Sequence, residues 1–304
     1  MTSTTTADPR RSMATTTAGI DRVGAIAIPQ YLDFSTPDAA GTAPVEAGTA
    51  WTARGQNALV HYVAVERPGL AVETEVTHEV LLVAVTDDSA ATITWNGVET
   101  TLPAQGVAII PPGRVRVEAT GAGDLALLVR ADEPGWAGRA VNDAAYAEPA
   151  PRVAPADPWP EPVGADAVRV HLVADHPAEE GRFGWIFRSR SFMVNFVPAQ
   201  DGPRDPHNLS PHHHDDFEQY SLAVQGEFVH HIRTPWTKDQ TTWREDDHVA
   251  VGSPSLALIP PPTVHTSAGS SAGRNALVDI FSPPRVDFSE QPGWVLNAEE
   301  YPQP

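Results

Sequence analysis

Pro211-His212-His213-His214-Asp215-Asp216-Phe217-Glu218 packs three histidines and three carboxylates into eight residues. Alternating apolar residues follow, up to Gly226. About forty residues later, Pro260-Pro261-Pro262-Thr263-Val264-His265 sets another histidine behind a rigid turn. In extended chain, residues two apart face the same side. His212, His214 and Glu218 therefore share one parity and face one cavity, which His265 enters from a neighbouring strand. His213 and Asp215 take the opposite parity and face outward. Asp216 shares the inward parity and would replace Glu218 if the strand bulges; Glu218 is the preferred reading. Three neutral imidazoles and a carboxylate suit a borderline divalent ion such as Fe, Mn, Co, Ni, Cu or Zn. Four protein donors on an octahedral ion leave positions open for water, dioxygen or substrate, unlike a closed tetrahedral zinc site.

The rest of the sequence reads as the scaffold for this stretch. Its 304 residues, 41% hydrophobic, suffice for one large domain or two ordinary ones. There is no cysteine, so disulfides, thiolate ligands and a cysteine nucleophile are excluded. The 39 acidic residues outnumber 20 basic ones, giving a formal charge of -19 that repels nucleic acid and anionic membranes. No apolar run approaches the roughly 18 residues of a membrane helix, and Met1 to Gly19 lacks the apolar segment of an export signal. The expected location is the cytoplasm, with residues 1–45 a partly disordered tail and Met13 an alternative start.

From Trp51 the texture is β. Ala58 to Val65, Val80 to Val85, Ala91 to Trp95, Val107 to Ile110 and Leu125 to Arg130 are strand-like, with Asn96-Gly97 a hairpin signal. Residues 133–165 are rich in proline and read as a linker, with short helical turns around Arg139 to Tyr146. β texture returns at Ala167 to Val173, Gly184 to Val197, Tyr220 to Val224, Phe228 to Arg233, Leu256 to Ile259 and Ala276 to Phe281. The tail from Pro284 wraps over a barrel surface.

The two β blocks match internally. When Val80–Val85 is laid on Gln219–Val224, Glu79 falls on Glu218, and Glu73 and Glu75 fall on His212 and His214. Pro111-Pro112-Gly113-Arg114-Val115-Arg116 then matches the second stretch, with Arg116 on His265. The expectation is a duplicated barrel in which the second copy alone keeps a histidine set, and in which the first is structural and metal-free.

His212-x-His214-x3-Glu218 with Gly226 resembles the first cupin motif, and Pro260-x-Pro262-x2-His265 resembles the second. Three departures stand: Pro262 replaces the second motif's glycine, Gly252 lies two residues further upstream of Pro260 than the common pattern puts its glycine, and seven residues separate Glu218 from Gly226 where six are usual. The resemblance covers roughly residues 50–130 and 167–282. It implies an all-β fold of two tandem cupin-type jelly-roll barrels joined by a Pro-rich linker: a degenerate barrel over 46–132, the linker over 133–165, a metal-binding barrel over 166–283 and an extension over 284–304. It also implies one divalent metal per chain, with Fe(II) favoured, and a dioxygenase acting on a small organic acid, enol or phenol.

Around the metal, Glu218 would leave the ion or shuttle a proton, and Tyr220 would face the cavity and serve in proton transfer. Asn195, Arg190, His231 and Arg233 are candidates to hold an anionic small-molecule substrate. The competing readings are a non-redox isomerase or lyase acting on a sugar or keto acid, and a non-catalytic small-molecule-binding bicupin. No nucleic-acid or membrane partner is expected, and a homo-oligomer is compatible with the sequence.

Overall fold

The computed structural model describes residues 24–35, 42–164, 166–179 and 181–304. Most of the expected N-terminal tail, including Met13, lies outside these residues. A first strand, β1 (Gln30–Asp33), precedes two blocks of strands. The first block is β2 (Thr42–Val45), β3 (Gly48–Arg54), β4 (Ala58–Val65), β5 (Gly69–Val76), β6 (Val80–Ala84), β7 (Ala91–Trp95), β8 (Val98–Leu102), β9 (Gly106–Ile110), β10 (Gly113–Ala119) and β11 (Leu125–Arg130). After a stretch without strands comes β12 (Arg169–Leu172). The second block is β13 (Trp185–Arg188), β14 (Met193–Phe196), β15 (Gln200–Asp201), β16 (Glu218–Gln225), β17 (Phe228–Arg233), β18 (Asp247–Val251), β19 (Ser255–Ile259), β20 (Val264–Gly269) and β21 (Arg274–Ser282).

Alternating and β-branched residues form these strands because each barrel wall buries one face against the other wall. The Asn96-Gly97 signal closes the β7–β8 hairpin with both residues at positive φ, 48° and 87°. Each block folds into a large sheet facing a small one. In the first barrel the large sheet runs β12-β9-β6-β11-β4-β3-β2 and the small one β5-β10-β7-β8. In the second the large sheet runs β1-β19-β16-β21-β14-β13, with β15 added to β21, and the small one β18-β17-β20. This is the two-barrel, all-β architecture expected from the motifs.

The barrels exchange strands. β1, placed by the sequence reading in the tail, pairs with β19 of the second barrel, Tyr31 opposite Ala257. β12, assigned from sequence to the second barrel, pairs with β9 of the first, Val170 opposite Ala108. Each barrel thereby covers an edge of the other's large sheet, which would otherwise offer unpaired N–H and C=O groups. Short-range pattern identifies a strand but says nothing about which sheet receives it.

The two large sheets share one hydrophobic layer. Trp51, Tyr62, Leu81 and Leu128 from the first barrel lie in the same buried cluster as Phe187, Phe192, Tyr220, Leu222 and Leu258 from the second. Between the barrels, Pro134–Trp136 and Asp143–Tyr146 form short 3-10 turns. At the C-terminal end, a single helical turn, Val286–Ser289, carries Asp287, which pairs with the buried Arg285 just before the turn. Among the described residues, no helix is long and apolar enough to cross a membrane.

Candidate metal centre

Two of the histidines are brought together by backbone. His212 and His265 exchange both main-chain hydrogen bonds, His212 N to His265 O at 3.0 Å and His265 N to His212 O at 2.8 Å. Directly opposed residues of an antiparallel pair point to one side, and the two rings stand 4.4 Å apart between centroids. His214 completes the group, at 5.0 Å from the His212 ring and 5.1 Å from the His265 ring. One ring nitrogen from each of the three lies within 4.8 Å of the others.

The tautomers are set from behind. Nδ1 of His212 is 2.9 Å from the Ser210 carbonyl, and Nδ1 of His265 is 3.0 Å from the Thr263 carbonyl. A carbonyl only accepts, so both Nδ1 atoms carry a proton, and in the neutral tautomer each Nε2 presents a lone pair. His214 is buried against Phe217, with ring centroids 4.3 Å apart. Burial holds its pKa well below 6.5, helped by the nearby Arg285, His212 and His265, so it is a neutral donor.

The fourth group is Gln219. Its Oε1 lies 3.0 Å from His214 Nε2 and 3.2 Å from His265 Nε2. With its Nδ1 donating to Thr263, the neutral tautomer of His265 turns the Nε2 lone pair toward the Gln219 oxygen, an arrangement that a cation between them would stabilise. Donors bound at about 2.1 Å to one ion stand roughly 3.0–3.4 Å apart when adjacent, which these distances match. His214 Nδ1 is also buried without a hydrogen-bond partner. The donor set of three imidazoles and an amide oxygen therefore fits a borderline divalent ion. The amide is oriented by Asp279, whose Oδ1 accepts from Gln219 Nε2 at 3.0 Å and from Ser221 Oγ at 2.7 Å.

Glu218, expected as the carboxylate ligand, is turned away from the three histidines. Its oxygens accept from the Gln56 backbone N–H at 2.6 Å, from Tyr146 Oη at 3.0 Å and from Tyr220 Oη at 3.3 Å, all on the side facing the first barrel. The reason is local. Parity counts only within a continuous strand, and the chain bends at Asp215-Asp216 before β16 begins at Glu218. Gln219 and Ser221 thus face the barrel interior, while Glu218, Tyr220 and Leu222 face the other barrel. Tyr220, expected in proton transfer, lies in the shared core, with its hydroxyl 3.3 Å from the Ala58 backbone N–H.

A cavity of about 250 Å³ opens over His212, His265 and Gln219, with Arg182, Arg204 and Asp279 also in its wall and Phe183, Phe228 and Leu277 on its apolar side. The expected substrate residues lie elsewhere. Asn195 is buried on β14, its Nδ2 directed at the Phe183 carbonyl. Arg190 lies at the junction of the barrels, bonded to the Trp159 carbonyl and paired with Glu161 at 2.8 Å. Arg233 is ion-paired with Asp246, and His231 hydrogen-bonds His248 at 2.7 Å across β17 and β18. These last two line a second depression, which shares His265 and Thr266 with the first cavity. In a regular strand, only alternate members of Phe228–Arg233 can point inward, and those are Phe228, His230 and Ile232.

In the first barrel, Arg116 is opposite Glu73 in register and pairs with it at 3.3 Å and with Glu118 at 2.6 Å, all on a partly exposed face. Glu75 lies opposite Arg114 in the same ladder. Glu79 is buried and turned toward the second barrel.

No protein-family model matches the sequence, and no curated protein matches it. Solved structures do. Oxalate decarboxylase from Lactobacillus farciminis, in a formate complex, is 13% identical with a TM-score of 0.54 over 86% of this chain and 88% of that one. Oxalate decarboxylase from Bacillus subtilis at pH 4.6 is 11% identical with a TM-score of 0.58 over 89% of this chain and 82% of that one. At such identities the likeness is one of fold, and it is the cupin fold of two barrels expected from the motifs.

Proposed function

We propose that the chain is a metal-dependent bicupin enzyme whose C-terminal barrel acts on a small, anionic, oxygenated organic acid. One observation carries this reading: His212, His265 and Gln219, with His214 beside them, converge at a cavity of about 250 Å³ that Arg182 and Arg204 also line. An ion held there would polarise a carbonyl or carboxylate oxygen and offer open positions to substrate. The size of the cavity suits a metabolite smaller than a drug-like ligand. Arg182, which bonds the Pro177 carbonyl and pairs with Glu179 at 3.7 Å, and Arg204, bonded to the Asn208 and Ser267 carbonyls and to Ser210 Oγ, would lend the wall positive charge toward a carboxylate. Phe183, Phe228 and Leu277 would exclude water from its carbon skeleton.

Two reaction types divide on specific features. Gln219 is a neutral donor, so the ion would keep its full charge and act as a strong electrophile; this favours non-redox cleavage of the lyase type. Two solved structures of similar fold are oxalate decarboxylases, which is compatible with that choice. The Fe(II) dioxygenase reading draws on another feature. Asp279 is the one carboxylate in the described cavity wall, and it is already hydrogen-bonded to Gln219 and Ser221. A reaction needing no side chain to take a proton from carbon fits such a wall.

The test is a panel of small hydroxy-, keto- and dicarboxylic acids, offered to protein loaded separately with Fe(II), Mn(II) or Zn(II), with and without dioxygen. Anaerobic turnover supports the lyase-type reading. Turnover that requires Fe(II) and consumes dioxygen supports the dioxygenase. Protein that binds none of the three metals refutes the proposal.

A further inference from the structure

The amide of Gln219 and the carboxylate of Asp279 form one unit. β16 and β21 are paired with Ser221 directly opposite Asp279. Gln219 lies two residues before Ser221 on the same face, so Asp279 Oδ1 takes both the Gln219 Nε2 proton and the Ser221 hydroxyl proton. Gln219 Nε2 is also 2.9 Å from Ser221 Oγ. The amide is therefore held with its nitrogen toward Asp279 and its oxygen toward His214 and His265. A carboxylate at position 219 would face the Asp279 carboxylate across the same 3.0 Å, where like charges repel strongly.

We infer that the centre carries its negative charge one hydrogen bond behind the metal-facing donor, on Asp279, and that this placement makes the cavity bind carboxylate anions. The inference rests on the metal reading above and adds what the site selects. A ligand carboxylate at 219 would neutralise part of the ion's charge at the position where substrate arrives. Placed on Asp279, the charge polarises the amide and holds its oxygen in position, while the ion keeps a neutral donor set. Arg204 in the same wall adds positive charge, and so does Arg182, whose charge Glu179 partly offsets at 3.7 Å. With a divalent ion, the cavity is then net positive despite Asp279, although the protein as a whole is at -19.

The test moves the charge. In Gln219→Glu/Asp279→Asn, an asparagine amide donates to a glutamate carboxylate, so the hydrogen bond is kept and the charge sits on the ligand. In Asp279→Asn alone, the asparagine oxygen still accepts from Gln219, and the charge is gone. Each protein is loaded with Co(II), and the visible cobalt spectrum is titrated with acetate. The wild type is expected to hold one Co(II) per chain. The exchanged variant is expected to hold Co(II) at least as tightly but to bind acetate at least tenfold more weakly. Asp279→Asn is expected to bind acetate at least threefold more tightly than wild type. Acetate affinities within twofold across the three proteins overturn the inference. If the exchanged variant fails to fold, as judged by its circular dichroism and melting curve, the comparison of wild type with Asp279→Asn decides. A wild type that takes up no Co(II) refutes the metal reading, a result distinct from equal acetate affinities.

Discussion

Glu79 at the entrance to β6 and Glu218 at the entrance to β16 make the same contact in opposite directions. Glu79 Oε1 accepts the backbone N–H of Arg190, in the β13–β14 turn of the second barrel, at 3.0 Å. Glu218 Oε2 accepts the backbone N–H of Gln56, in the β3–β4 turn of the first barrel, at 2.6 Å. Each also accepts a tyrosine hydroxyl at 3.0 Å, Tyr301 for Glu79 and Tyr146 for Glu218. The two carboxylates form a reciprocal clasp between the duplicated barrels, and each fills the hydrogen-bonding need of a turn buried by the other domain.

The clasp has a pH signature. Burial pushes both carboxyls above their ordinary value of 4.5, against the lowering effect of the backbone and tyrosine hydrogen bonds. Above that value the folded protein holds protons that the unfolded chain has released. The sign follows: the stabilisation is fully present below about pH 4.5, is lost as pH rises through the raised folded-state pKa, and stays lost above it. Urea unfolding of wild type and Glu218→Gln across pH 4 to 8 should therefore give a difference curve that falls as pH rises. A difference that is flat, or rises, contradicts the assignment. Glu79→Gln should behave alike.

Gly55 is the steric counterpart of the clasp. A Cβ there would lie 2.1 Å from Tyr220 Oη and 2.6 Å from Glu218 Oε2, in a region with no room to relax. Gly55→Ala should cost about 1–3 kcal/mol in chemical unfolding, the usual range for overpacking a filled core. Gly252→Ala, where nothing lies within 4 Å, should change stability by less than about 0.5 kcal/mol. Equal effects at the two positions would show that Gly55 is not confined by the clasp.

What the sequence displayed of this arrangement was the architecture and three of the four candidate metal donors. Strand texture, the Asn96-Gly97 turn and the internal match point to duplicated β barrels. His212, His214 and His265 stand out because histidines at motif spacing are rare and chemically distinct. The fourth candidate, Gln219, was hidden by a bend: parity counted from His212 through Asp215-Asp216 pointed Glu218 at the histidines, whereas β16 starts afresh at Glu218 and turns Gln219 toward them. The internal match held a correcting signal. Glu79 aligns with Glu218 in the barrel whose aligned positions 73 and 75 are glutamates, so that carboxylate serves something both barrels share. Asp279 and Ser221 come together with Gln219 through long-range β16–β21 pairing, which no local pattern reveals. The strand exchange was hidden for the same reason.

Metal binding should be read out in stability as well as in content. An ion that binds the folded state alone stabilises it by about 2.7 kcal/mol when free ion is a hundredfold above its Kd. Unfolding of chelator-treated protein should therefore shift by that order when Zn(II) is restored. His212→Ala and His265→Ala should each lose most of the shift and weaken binding at least tenfold, because each removes one of four converging donors. Glu218→Gln should keep the full shift, since Glu218 faces the other barrel. A Glu218→Gln protein that loses metal while the histidine variants keep it would restore the carboxylate to the donor set.

The exchanged strand β1 protects an edge, and its removal should expose that edge. Gln30–Asp33 pairs with Ser255–Leu258, four of the five residues of β19, all five of which are buried. Tyr31 Oη also donates to Asp247 Oδ2 at 2.9 Å, tying β1 to β18. Deletion through Asp33 frees the outer N–H and C=O groups of β19 beside apolar Leu256, Leu258 and Ile259, a surface able to pair with another chain. Light scattering of the truncated protein should show association that rises with concentration, and a Leu258→Lys substitution in the truncated chain should suppress it. The full-length chain should show no such edge pairing under the same conditions. Truncated protein that scatters like the full-length chain, with the same urea midpoint, would mean that β1 is dispensable to the second barrel.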